Sequence, residues 1–296
     1  MVTRRTLLKA LPLSYLASTF AADASAAAIT YGYAAITWGK AITEAIDDIA
    51  AVGFRGIQLR ATDGVLERFG EAPSALRDLL AQRHLGLAVL SSGNLSIDPA
   101  REVEQLATHT AHAKFLRAAG GRYLQVIDER PKGRAVTDDD YVRVGRLLTE
   151  LGKRTQDLGV TLVYHHHMNS TGEKPQEIAA VLAAADRRHV RLLFDTAHYL
   201  QGGGDPAAAI RQYRPWIEVL HLKDVRVAPS EPGGYQWVEL GRGRVDLPAV
   251  FAAIRDIGFG GWAIVELDKV PDAGRTPKES AEINRRYLVD VMHQQV

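Results

Sequence analysis

Eight short apolar, strand-like runs recur along the chain, at 31–36, 56–59, 86–90, 122–127, 160–164, 190–194, 217–220 and 262–265. Between them lie longer stretches with helical periodicity, at 42–52, 74–83, 102–119, 141–158, 176–185 and 247–257, and a last one at 277–293. Boundary residues agree with this division. Asp98-Pro99 and Asp205-Pro206 read as an N-cap followed by proline in the first helical turn, and Gly53, Gly159 and Gly258 stand where helices should stop. Eight strands, each followed by a helix, predict an α/β protein with one (β/α)8 barrel over residues 27–296.

A doubly wound open sheet is the competing arrangement, and it would want a glycine-rich phosphate turn after the first strand. Ile36-Thr37-Trp38-Gly39-Lys40 does not supply one. Gly202-Gly203-Gly204-Asp205 lacks the lysine and hydroxyl of a phosphate loop and reads as a turn into the next helix.

The barrel reading gives meaning to four polar signatures, because the C-terminal ends of barrel strands share one rim where such folds place their chemistry. His165-His166-His167, Asp195-Thr196-Ala197-His198, His221-Leu222-Lys223-Asp224 and Glu266 follow strands five, six, seven and eight. Imidazole and carboxylate together suit one divalent cation (Mn, Co, Zn or Mg), so the expected ligands are His165, Asp195, His221 and Glu266. Successive strand residues alternate faces, which turns His167 to the mouth beside His165 and His166 away. His198 sits in the following loop and suits proton transfer. Lys223 shares the face of His221 and suits an electrostatic partner for a developing oxyanion. The catalytic set is therefore His167, His198, Lys223 and Glu266. Trp38, Asn94 and Gln125 are expected to bind substrate at the mouth, with Gln58, Arg60 and Asp128 as weaker mouth candidates. The long 225–239 loop carries no readable pattern.

Composition adds limits. Of 296 residues, 46% are hydrophobic and 24% charged, an ordinary globular balance. The absence of cysteine excludes disulfides, thiolate catalysis and sulfur-ligated metal. Arg4-Arg5 precede an apolar stretch ending in Ala24-Ser25-Ala26, which resembles a twin-arginine export signal over residues 1–26. A periplasmic or secreted location follows as an expectation, without stable membrane association once the segment is removed. Its loss takes Arg4, Arg5, Lys9 and Asp23, leaving 33 of the 36 basic and 34 of the 35 acidic residues. Such a neutral chain offers no broad cationic face for nucleic acid. The expected partner is a small sugar or cyclitol.

The order DTxH, HLKD, Leu240-Gly241-Arg242-Gly243-Arg244-Val245-Asp246 and Gly261-Trp262-Ala263-Ile264-Val265-Glu266 resembles the xylose-isomerase-like superfamily of sugar isomerases and epimerases. Within it, Ala35-Ile36-Thr37-Trp38-Gly39 and Tyr164-His165-His166-His167-Met168 are most similar to inosose dehydratases. The resemblance implies metal-assisted proton abstraction α to the carbonyl of a keto-sugar, cyclitol or 3-keto-glycoside. Epimerases of the superfamily carry a glutamate at the end of strand five, where this chain has His165. That departure favours β-elimination by a lyase or dehydratase over two-carboxylate epimerisation. An isomerase or epimerase of sugars or their phosphates is the alternative, followed by an exported sugar- or metal-binding module. A phosphodiesterase of the same superfamily would want a cationic nucleic-acid face.

Overall fold

The computed structural model describes residues 28–296. The expected export signal at 1–26 lies outside the described residues. Strands β1 (Thr30–Ala34), β2 (Gly56–Arg60), β3 (Gly86–Leu95), β4 (Tyr123–Asp128), β5 (Thr161–His165), β6 (Val190–Asp195) and β7 (Ile217–Leu222) are followed by a hairpin, β8 (Asp224–Val227) and β9 (Tyr235–Val238), and then by β10 (Trp262–Val265). All but the hairpin close into one barrel in the order β1-β10-β7-β6-β5-β4-β3-β2. Every barrel pairing is parallel. Helices α1 (Ile42–Val52), α2 (Leu66–Phe69), α3 (Pro73–Gln82), α4 (Glu102–Ala118), α5 (Asp138–Gln156), α6 (Pro175–Ala184), α7 (Thr196–Gln201), α8 (Pro206–Gln212), α9 (Leu247–Asp256) and α10 (Pro277–Arg286) supply the crossovers and the closing helix. Among the described residues no helix is long and apolar enough to cross a membrane.

The (β/α)8 barrel expected from the pattern is present, with three local differences. β1 ends at Ala34 and residues Ala35–Trp38 form a 3-10 turn. β3 runs on to Leu95. His198, expected in a loop, lies on the short helix α7.

The core has two compartments, as a barrel requires. A large one fills the layer between strands and helices. A small one inside the barrel joins Ala34, Ala88, Val89, Val163, Leu193, Val219 and Ile264, with Trp262 packed against it. Glycine makes room for that indole: a Cβ on Gly56 would lie 2.4 Å from the Trp262 ring. The floor beneath the mouth is thus closed by apolar packing.

The 225–239 segment forms the antiparallel β8–β9 hairpin. One carboxylate ties its base. Buried Asp224 accepts the backbone N–H groups of Val225 (2.8 Å), Gly241 (3.0 Å), Gly243 (2.9 Å) and Val245 (3.0 Å). Glycine is required at 243, where a Cβ would fall 2.1 Å from Asp224 Oδ1. Asp224→Asn turns one acceptor oxygen into a donor, and each buried N–H it strands costs roughly 1–3 kcal/mol. A lower denaturant midpoint with unchanged slope is the expected result.

Candidate metal centre

β5, β6, β7 and β10 deliver His165, Asp195, His221 and Glu266 to one point at the C-terminal rim, all buried. Asp195 Oδ2 lies 3.6 Å from His165 Nε2 and 3.4 Å from His221 Nδ1, and His221 Nδ1 lies 3.2 Å from Glu266 Oε2. These atoms converge without the alignment of hydrogen bonds. His165 Nε2, Asp195 Oδ2 and His221 Nδ1 are buried with no hydrogen-bond partner among the described residues. Three orphaned polar atoms aimed at one point would be costly unless they share a cation, so the donor set fits a divalent metal.

Their other atoms are engaged in ways that aim them. Asp195 Oδ1 caps α7 by accepting the N–H groups of Ala197 (2.9 Å) and His198 (2.8 Å), leaving Oδ2 for the centre. His166 points away, packed between Phe194 and Tyr199, and its Nε2 accepts the Asp195 N–H at 3.1 Å. His221 Nε2 donates to Gln58 Oε1 (2.9 Å), Gln58 Nε2 donates to Gln125 Oε1 (3.0 Å), and Gln125 Nε2 donates to His165 Nδ1 (2.8 Å). Gln125, expected to touch substrate, is instead committed to orienting a histidine. Gln58 accepts the Nε2–H of His221, the outer partner that a metal-bound imidazole requires.

Proximity alone does not choose between His221 and His198, because a ring nitrogen of His198 also lies within 4.8 Å of donor atoms of His165, Asp195 and Glu266. Hydrogen bonding does. Both His198 ring nitrogens have a near neighbour, the Met168 N–H at Nδ1 and Lys223 Nζ at Nε2, each 3.2 Å away, although a neutral ring accepts at only one of them. His221 Nδ1, by contrast, has no hydrogen-bond partner among the described residues. Burial, reinforced by the neighbouring His167 and Lys223, holds His198 well below its ordinary pKa and therefore neutral.

Lys223 is 0% exposed. Its Nζ reaches Asp268 Oδ1 at 2.6 Å and Glu266 Oε2 at 3.0 Å, and lies 4.6 Å from the centroid of Trp237. Burial alone would strip its proton, but Asp268, Glu266 and Asp195 raise its pKa above the ordinary lysine value. It is a fixed positive charge and not a base. His167 is half-buried. Its Nδ1 donates to the Met168 carbonyl at 2.7 Å, which leaves Nε2 bare, and its ring centroid lies 3.8 Å from that of His198, the two planes tilted by 40°.

Four residues expected at the mouth are placed away from the centre or engaged in other bonds. The Trp38 indole packs edge-on against Tyr33 and spends its N–H on Asp48 at 3.0 Å, since the 3-10 turn carries it off the strand end. Asn94 lines a separate cleft beside α4. Asp128 accepts the Tyr164 hydroxyl (2.6 Å) and the Gly172 N–H (3.2 Å), anchoring the loop after β5. Arg60 pairs with Asp63. The aromatic wall comes from the hairpin: Trp237 lies 4.6 Å from the His198 ring and 4.9 Å from that of Tyr235. Trp237 and Asp268 were not expected. The signals were a Pro232-Gly233-Gly234 turn between β-favouring residues, and a carboxylate two positions beyond Glu266 on the same face.

Burial holds His165 neutral, with a pKa lowered to about 4. His221 is the opposite case: burial would lower it, but Glu266 and Asp195 push it up to about 9. Metal must displace that proton. Below about pH 9 the metal-free centre carries it, so apparent affinity is expected to rise about tenfold per pH unit and to level off above about pH 9. Titration calorimetry in two buffers of different ionisation enthalpy should count one proton released.

The family model described as "Xylose isomerase-like TIM barrel" matches residues 46–289. An inosose dehydratase of Lacticaseibacillus casei is 29% identical over 303 residues, covering 90% of this chain and 98% of that protein. Among solved structures, the IOLI protein with a bound zinc atom superposes with a TM-score of 0.74 at 20% identity, covering 88% of this chain and 97% of that one. The probable 3-DHS dehydratase AsbF of Bacillus anthracis superposes at 0.72 and 17% identity, covering 88% and 98%.

Proposed function

This chain belongs to the xylose isomerase-like TIM barrel family, and from that footing we propose that it is a divalent-metal-dependent lyase. It removes the proton α to the carbonyl of a keto-sugar, cyclitol or 3-keto-glycoside and expels the β-substituent. The observation that carries this reading is the three orphaned atoms of His165, Asp195 and His221 converging beside Glu266 and the buried Lys223. When bound, a divalent cation there supplies Lewis-acid polarisation of the substrate carbonyl.

The chain's own residues do the rest. Lys223 holds a permanent positive charge next to the centre, where it stabilises negative charge developing on a substrate oxygen. His167, pinned through Nδ1 and bare at Nε2, is the group at the mouth able to accept a proton. His198 is the positioning residue between the Met168 amide and Lys223. Glu266 divides its carboxylate between Gln58 at Oε1 and Lys223 at Oε2. Trp237 and Tyr235 offer an apolar wall for a sugar ring. A histidine stands at the end of β5, where epimerases of the superfamily carry a glutamate, and the L. casei relative, at 29% identity, is an inosose dehydratase.

Mass spectrometry of products from metal-reconstituted protein with inosose and with a 3-keto-glycoside tests the reading. Loss of water or of the aglycone supports it, an isomer of unchanged mass transfers the site to isomerisation, and inertness toward both overturns it. We read residues 1–26 as the export signal. Replacing Arg4 and Arg5 by lysine is then expected to trap the chain in the cytoplasm, as read by cell fractionation.

A further inference from the structure

The extension of β3 carries a second set of reactive side chains, outside the barrel mouth. Ser91 pairs with Gln125 and Asn94 with Ile127, so three steps on β3 span two on β4. This is a bulge, a device that re-aims side chains and takes backbone amides out of the ladder. Gly93 adopts a φ of 97°, and among the described residues no atom beyond its chain neighbours lies within 4 Å of where its Cβ would be. Ser92 turns outward to α4. Its Oγ lies 2.6 Å from His109 Nδ1 and 2.8 Å from His112 Nδ1, two rings one turn apart on the same helix face.

A carbonyl fixes the direction of these bonds. Asn94 O, 3.2 Å from His109 Nε2, can only accept, so Nε2 bears the proton and Nδ1 is bare. The Ser92 hydroxyl therefore donates to His109. His112 Nδ1 bears a proton, since the one hydroxyl proton of Ser92 is spent on His109 and the 2.8 Å contact needs a donor. Burial holds both imidazoles below their ordinary pKa, His109 at about 4, so both are neutral at pH 7. A cavity of about 320 Å³ opens on the group, bordered by Thr62, Gly93 and Asn94.

We propose that Ser92, His109 and the Asn94 carbonyl form a second, metal-independent site that accepts the acyl group of a small ester. A nucleophile, a base within hydrogen-bond reach and a group orienting that base are the parts such a site needs, here with the imidazole used the other way round from the usual triad. Ser92 Oγ bonds to the acyl carbon while its proton passes to His109 Nδ1. The bond to the leaving alcohol then breaks and His109 returns the proton to the departing oxygen. Water hydrolyses the acyl-serine by the same route, releasing the carboxylic acid. His112 Nδ1–H steadies charge on Oγ. Ser92 is 3% exposed, which restricts the acyl group to a small one such as acetyl.

The test uses the full chain with chelator present, 4-nitrophenyl acetate as substrate and a fluorophosphonate as covalent probe. The probe is expected on Ser92, located by peptide mass spectrometry. Hydrolysis should fall about a hundredfold in Ser92→Ala and in His109→Gln, within the range a general base contributes. Glutamine in place of His109 keeps a polar side chain of similar reach without a basic nitrogen, so circular dichroism and melting separate lost folding from lost chemistry. Probe found on other residues, or unchanged hydrolysis in folded His109→Gln, overturns the proposal. If Ser92→Ala does not fold, the labelling position on the unsubstituted chain decides.

Discussion

His221→Ala is expected to lower turnover on the order of 10³-fold or more, and chelation of the unsubstituted chain should do the same, since Lewis-acid assistance is worth several kcal/mol at about 1.36 kcal/mol per tenfold. The residue is chosen because its Nδ1 is one of the three orphaned atoms while its Nε2 is held by Gln58. The substitution has a second expected consequence. Without metal, protonated His221 stands between Asp195 and Glu266, so its removal leaves two buried carboxylates facing each other. Losing one partner of a buried charge group costs roughly 3–5 kcal/mol. The metal-free variant should therefore melt below the metal-free parent, and added metal should no longer raise its melting temperature as it does for a protein that binds ligand only when folded. Retained turnover together with a retained metal-induced shift would remove His221 from the ligand set.

Lys223→Met is expected to lower kcat by roughly 10²–10³-fold with little change in KM, the signature of a charge that acts on the transition state. Methionine keeps the length and apolar stem but not the charge. Metal binding should survive, because the orphaned donor atoms do not include Lys223. Stability should not: Glu266 and Asp268 lose their shared cation at 3.0 and 2.6 Å, a cost of the same roughly 3–5 kcal/mol order as any broken buried pair. Assays well below the melting temperature keep the two effects apart. An unchanged kcat would mean that Lys223 only holds the two carboxylates in place.

Strand periodicity and strand-end position made much of this legible. A parallel barrel strand is apolar nearly throughout, so a polar residue at its C-terminal end stands out, which is how His165, Asp195 and His221 could be picked from the chain alone. The same logic put His166 on the opposite face. What escaped was set by tertiary packing. Trp38 resembles a mouth aromatic until the turn after β1 carries its indole to Tyr33 and Asp48. Gln125 reads as a substrate contact because nothing local reveals that a second glutamine, Gln58, two strands away, completes its bonding. Trp237 and Asp268 needed the hairpin's fold-back and the depth of Lys223, neither of which is a periodic property. The β3 bulge likewise leaves no pattern beyond a Ser-Ser-Gly run.

The glutamine chain between the two histidines runs in one direction, from His221 through Gln58 and Gln125 to His165. At the His221 end this polarity already leaves Nδ1 ready once its proton departs. At the His165 end it is wrong for ligation: accepting from Gln125 at Nδ1 puts the proton on Nε2, the atom needed for the metal. A metal-bound His165 would need the Gln125 amide turned over to present its oxygen, while Gln58 Nε2 already has Glu266 Oε1 within reach at 3.4 Å. The two imidazoles would therefore differ in readiness for a cation, His221 already held in the tautomer that ligation needs and His165 held in the other.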